Sequence, residues 1–207
     1  ILTGPMYSMV TLATGGGKVS EENVASATQL CENIADEGIV LLDNDGTLPM
    51  AKNSKLNVFG WASTNPCYGG TGSGALSDAY PTVTLLEGLK NAGFELNTEL
   101  SDFYTSYRAD RPVVGMFAQD WTLPEPEAAQ YTDEMMNNAK AFSDTAMVVI
   151  TRVGGEGADL PTDVSQVTYD AGHSYNDFEP GEHYLQLSKT EKDMIDLVCK
   201  NFDKVVV

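Results

Sequence analysis

Apolar and polar positions along this chain recur in two rhythms, and the points where one gives way to the other outline its elements. From Ser20 to Glu37, Val24, Ala27, Cys31 and Ile34 fall on one face of a predicted helix, with Gly38 as its stop. Ile39 to Leu42 either extends that helix or forms a strand, and Asp43-Asn44-Asp45-Gly46 then makes a turn. Lys55 to Gly60 reads as the first clear strand. Thr82 to Ala92 places Val83, Leu85, Leu86 and Leu89 on a helix that Gly93 can close. Phe94 to Leu96 suggests a short strand, Leu100 to Tyr107 a helix, and Pro112 to Pro126 a loop. Thr132 to Phe142 predicts a helix leading into a buried strand from Ala146 to Ile150. Ser188-Lys189-Thr190-Glu191 fits a capping box, followed by Met194, Leu197 and Val198 on an apolar face. Lys204 to Val207 opens a last strand. Strands alternating with helices imply an α/β fold in which a parallel-dominated sheet is sandwiched between helices.

The chain begins without Met and stops as that last strand opens, so it is expected to be a fragment of a longer protein. Residues 1–19 read as an N-terminal segment, and 20–207 as one α/β domain truncated at its C-terminal end. Its 207 residues suffice for one large core.

Charge narrows the partners. Twelve Lys and Arg against thirty Asp and Glu give a net charge of −18, which repels phosphate backbones and anionic lipid surfaces. Nucleic acid and membrane partners are therefore not expected. No apolar run approaches the roughly 20 residues of a membrane span, and the first residues lack the basic start of a signal peptide. Cytoplasmic and cell-envelope or secreted locations both stay open. Cys31, Cys67 and Cys199 are odd in number and widely spaced, which suggests buried thiols, not a disulfide framework or a zinc site. His173 and His183 have no second ligand at metal spacing, so neither metal nor cofactor is expected.

Candidate chemistry gathers in two glycine-rich loops. The run Val148-Val149-Ile150-Thr151-Arg152-Val153-Gly154-Gly155-Glu156-Gly157 ends a strand with a glycine-flanked carboxylate, at the edge where open α/β sheets bind ligands. Gly69-Gly70-Thr71-Gly72-Ser73-Gly74 follows the Lys55 strand, but Ala75 stands where a phosphate-binding loop needs Lys. Trp61, Trp121, Tyr68, Tyr169 and Tyr175 could form an aromatic platform for a sugar face, with core packing an equal reading for Trp61.

Taken in order, Gly38-Ile39-Val40-Leu41-Leu42-Asp43-Asn44-Asp45-Gly46-Thr47-Leu48-Pro49, Val58-Phe59-Gly60, the Gly69 to Gly74 loop, Leu85-Leu86-Glu87-Gly88-Leu89 and Arg152 to Asp159 resemble the α/β sandwich domain of family 3 glycoside hydrolases. The resemblance spans roughly Glu21 to Val207 and lies in the order of several motifs. It implies a retaining, exo-acting, β-glucosidase-like enzyme whose nucleophilic Asp sits on a separate (β/α)8 barrel domain of the same chain, acting on a β-linked glycoside or oligosaccharide. By position, Glu156 matches the general acid/base, and Ser73 and Gly72 lie in the loop that reaches the sugar; from the residues themselves, Arg152 as an alternative partner for a carboxylate and Trp121 as part of the aromatic platform are further candidate substrate contacts. With the nucleophile elsewhere, the fragment alone is expected to be inactive. Many relatives carry Arg after the motif's Asp; here Asp159 is followed by Leu160, which favours a loop-structuring role for Asp159. The competing reading is a non-catalytic carbohydrate- or nucleotide-binding α/β module.

Overall fold

The structure is a computed structural model that describes residues 19–64, 66, 68–76, 82–107, 121, 123, 125–157, 159–167 and 178–207. The expectations for Cys67, His173, Tyr169 and Tyr175, and most of the loop before Trp121, lie outside the described residues. The chain divides into two units, Ile1–Asp45 and Gly46–Val207.

In the first unit, α1 (Glu21–Gly38) starts where predicted, because the Ser20 hydroxyl accepts the Asn23 N–H at 3.2 Å and Glu21 and Glu22 complement the helix dipole. Its apolar face buries nothing: Val24 and Ile34 stay 42% and 61% exposed. Ile39 to Leu42 neither prolongs the helix nor joins a ladder, and runs extended and exposed.

The second unit carries a four-stranded, all-parallel sheet of order β2-β1-β3-β4, built from β1 (Lys55–Phe59), β2 (Glu95–Leu96), β3 (Thr145–Val148) and β4 (Lys204–Val206). Around it lie α2 (Leu85–Asn91), α3 (Thr98–Tyr107), α4 (Asp133–Phe142) and α5 (Lys189–Asn201). Side chains alternate along a strand, so β1 serves two cores. Leu56 and Val58 join Leu96 in a smaller cluster against Leu86 and Leu89 of α2. Phe59 enters a larger one with Ala146 and Val148 of β3, Leu100 and Tyr104 of α3, Met136 and Ala139 of α4, and Met194 and Val198 of α5. Helices thus cover both faces of the sheet, as the sequence implies.

Local chemistry sets the helix starts. Thr84 and Ser188 each form a full capping box, with Glu87 and Glu191, and the Thr132 hydroxyl accepts the Met135 N–H at 3.2 Å. The cysteines depart from expectation, since Cys31 and Cys199 are free and exposed. Cys199 follows the buried Val198 on α5, so the helical turn carries it away from the core.

Two buried polar groups lock the layers. Asn57 of β1 donates from Nδ2 to the carbonyls of Ala139 and Ser143 at 3.0 and 3.1 Å, and its Oδ1 accepts from Asn97 at 2.8 Å. It thereby ties β1 to the end of α4 and to the turn entering α3. Glu125, only 3% exposed, accepts the Trp61 N–H at 3.0 Å and the hydroxyls of Tyr131 and Tyr104, the latter at 3.3 Å. The two phenols also share a contact of 2.6 Å. The Glu125 carboxyl is thus the common acceptor of a buried cluster. Burial, chiefly, pushes its pKa up to about 7; the Glu191 charge adds to the rise, and bonds from Tyr131, Trp61 and Tyr104 oppose it.

Two expectations follow for stability. Asn57→Leu takes from the Asn97 amide and the Ser143 carbonyl their Asn57 partner, and should lower the unfolding free energy by about 2–3 kcal/mol; urea denaturation with an unchanged midpoint would contradict that. Glu125 in the folded state holds its proton up to about pH 7, against 4.5 for an ordinary Glu. Its contribution is thus fully present below about pH 4.5 and lost as pH rises through about 7. Thermal midpoints should fall across that window in the native chain and be flatter in Glu125→Gln.

Candidate active site

Because β1 and β3 are parallel neighbours, the chain leaves both at the same edge of the sheet, and the two glycine-rich loops start side by side there. They pair directly: Thr71 and Gly155 form a parallel bridge. A Cβ on Gly155 would lie 2.5 Å from the Thr71 nitrogen and 2.7 Å from its hydroxyl oxygen, so any other residue would force the loops apart. Gly72 opens a single 3-10 turn, Gly72–Gly74, at φ +64, and a Cβ there would lie 2.7 Å from that of Glu156. Both the backbone angle and the space require glycine.

This approach delivers Ser73 to Glu156. The Ser73 N–H donates to Glu156 Oε2 at 3.0 Å, and the Ser73 hydroxyl donates to the same oxygen. The Thr71 hydroxyl reaches the Glu156 carbonyl at 3.4 Å. The Glu156 carboxyl is otherwise exposed, and the Ser73 hydroxyl first, then its N–H, hold it below the ordinary glutamate range. The glycine turn runs into a three-residue turn and not directly into an α-helix, so it lacks the helix N-terminus that a dinucleotide site uses.

Arg152 lies behind this loop. Its Nε donates to the Tyr184 carbonyl at 2.7 Å, its Nη1 to the Thr151 carbonyl and Glu191, and its Nη2 to the Gln186 carbonyl and Glu191. All five N–H groups have partners within the domain. The pair with Glu191 is bidentate, both contacts 2.8 Å, and mostly buried. Glu191 also accepts the Ser188 N–H at 2.9 Å, so the predicted capping residue doubles as the anchor of the Glu156 loop. Trp121 is half-buried against the larger core cluster, and Trp61 is fully inside it. Of the candidates, then, Gly72, Ser73 and Glu156 meet in one place, the Arg152 guanidinium is committed to Glu191 and three carbonyls, and Trp121 rests against the larger core cluster. Glu125, framed by prolines, reads as loop and gives no sequence signal of its burial. Asp159 is exposed.

A parallel α/β domain that presents one carboxylate from paired glycine loops is thus defined by geometry alone. Residues 39–207 match the family model described as the glycosyl hydrolase family 3 C-terminal domain. The chain belongs to glycoside hydrolase family 3. It is 30% identical over 174 residues to a beta-glucosidase of Ruminococcus albus, covering 83% of this chain and 16% of that protein. It is 31% identical over 189 residues to beta-glucosidase A of Butyrivibrio fibrisolvens, covering 86% and 21% respectively. Among solved structures it resembles beta-glucosidase 3B of Thermotoga neapolitana in complex with glucose, with a TM-score of 0.64, 26% identity, and coverage of 87% of this chain and 23% of that one. A beta-glucosidase of Paenibacillus barengoltzii gives a TM-score of 0.61 at 29% identity, covering 84% and 17%. The chain therefore spans about a fifth of these relatives. Among the described residues, no helix is long and apolar enough to cross a membrane.

Ser73→Ala removes the stronger of the two donors to Glu156 and should raise the pKa of that carboxyl, because its ionised form loses a hydrogen bond. Carbon-detected NMR titration of Glu156 reads this directly, and an unmoved value would show that the N–H alone sets it.

Proposed function

We propose that this domain supplies the general acid/base and part of the sugar subsite of a retaining, exo-acting β-glycosidase, completed by a (β/α)8 barrel domain of the same chain that carries the nucleophile. The observation that carries the reading is the exposed Glu156 carboxylate, held at the sheet's carboxyl edge by two loops that glycine alone permits to meet. Beta-glucosidases among the relatives, one solved with glucose, support a β-glucoside as substrate.

In this reading the nucleophile attacks the anomeric carbon while Glu156, protonated, gives its proton to the glycosidic oxygen, and the leaving alcohol departs neutral. Water then attacks the covalent glycosyl intermediate while the Glu156 carboxylate takes its proton, which resets both groups. The exposed domain holds Glu156 on the ionised side, opposite to what the first step needs. Docking against the barrel reverses this: desolvation and a nucleophile carboxylate about 5–5.5 Å away both favour the neutral acid. Ser73 then has its hydroxyl free to turn to a sugar oxygen, with Gly72 letting the backbone come close. Arg152 positions the loop through Glu191 and the Tyr184 and Gln186 carbonyls. Trp121, half-buried, offers part of its ring to a sugar face.

The isolated chain should release no nitrophenol from an aryl β-glucoside beyond a buffer blank. In the full-length enzyme, Glu156→Ala should slow alkyl glucosides far more than activated aryl glucosides, since only poor leaving groups depend on the proton. Azide should partly restore the aryl reaction, because it needs no general base. Equal losses on all substrates with no azide effect would place the acid/base residue elsewhere.

A further inference from the structure

We propose that the cleft between residues 160–162 and 183–185 receives the leaving-group portion of the substrate and selects uncharged, apolar leaving groups such as alkyl or aryl alcohols. The inference rests on the reading of Glu156 as the acid/base residue. The cleft has a volume of about 390 Å³ and is lined, among the described residues, by Leu160, Pro161, Thr162, His183, Tyr184 and Leu185. That size and mostly apolar lining are those of small-molecule sites. Leu160 and Leu185 are 39% and 63% exposed although they line a single concavity, while Tyr184 is fully buried.

The cleft is built on the loop that presents Glu156. The Tyr184 hydroxyl accepts the Val153 N–H at 3.1 Å, and the Tyr184 N–H donates to the Pro161 carbonyl at 3.0 Å. With the Arg152 bond to the Tyr184 carbonyl, both walls are fastened to one loop. Leu160 reaches back so far that a Cβ on Gly154 would lie 3.3 Å from its Cδ2. Leu160 lies four residues beyond Glu156, and four residues span at most about 14 Å. An acid that protonates the glycosidic oxygen must touch it. The leaving group therefore emerges beside Glu156, and a long alkyl chain on it extends toward Leu160.

Charge settles the chemical class. No Asp, Glu, Lys or Arg lines the cleft among the described residues, and the chain carries a net charge of −18. An anionic leaving group would meet repulsion, and the Arg152 guanidinium beside Tyr184 is already neutralised by Glu191. Polar recognition falls to Thr162 and His183, whose Nδ1 accepts the Leu185 N–H at 3.2 Å; in the neutral ring the proton is then on Nε2, leaving one donor there.

The test compares octyl and methyl β-glucoside in the full-length enzyme, with Leu185→Asp and the cleft-filling Thr162→Trp, both at exposed positions. Each variant should lower kcat/KM for the octyl substrate about tenfold or more while the methyl substrate stays within about twofold. Inhibition by glucose, which lacks a leaving group, should not change. An octyl-to-methyl ratio unmoved in both variants overturns the inference. So does a parallel loss on both substrates with a lower thermal midpoint, which would make the cleft a contact with another domain. If the wild type hydrolyses neither glucoside, or Glu156→Ala leaves both rates intact, the acid/base reading itself fails and the inference with it. An unmoved ratio in an enzyme that Glu156→Ala disables refutes the cleft alone.

Discussion

The site depends on how closely two backbones can approach at one edge of a parallel sheet. Parallel neighbours lie about 4.8 Å apart, and loops leaving them keep that spacing only if no side chain stands between. Gly155 meets the condition against Thr71, and Gly72 against Glu156. The consequence is chemical: a backbone N–H and a hydroxyl from one loop converge on a single carboxylate oxygen of the other. Glu156 is aimed by main-chain geometry, which costs less rotamer freedom than aiming it by long side chains would.

Three glutamates differ in how their carboxyl groups are placed. Glu156, exposed with two donors, is held toward the ionised form. Glu125, buried with three donors and no cation paired to it among the described residues, is pushed the other way, to about 7. Glu191 is as buried as Glu125 yet has a guanidinium bound in two places and a backbone N–H besides. A buried carboxylate is tolerable when paired and hydrogen-bonded, and costly when it is not. The paired one anchors the loop that must present the exposed one, so the rigid base and the reactive tip belong to one construction.

Beneath the loops, Asn57 and Glu125 perform related work, one at the centre of β1 and one just beyond its end. Asn57 joins the strand to α4 and to the entry of α3, and Glu125 fastens the chain just after β1 to the segment leading into α4. Because both are buried and satisfied, the strand that precedes the glycine loop is fixed at its centre and just past its end.

Sequence pattern alone determined the order of strands and helices, the Ser188 capping box, and the two glycine loops with Glu156 and Ser73 in them. Those features rest on interactions within a few residues: side-chain period, caps and turns. Where only burial decides, the pattern misled. The two described cysteines look like buried thiols but are exposed, and Glu125 between prolines looks like loop but is core. The partnerships were beyond it too. Ser73 meets Glu156 across 83 residues, Trp61 meets Glu125 across 64, and Arg152 meets Glu191 across 39. Such contacts are products of strand order and helix packing, which bring together positions whose own neighbours in the chain carry no record of the meeting. Arg152 makes the point in one residue: its charge and its place in the loop are written in the sequence, but packing gave its five donors to Glu191 and three carbonyls.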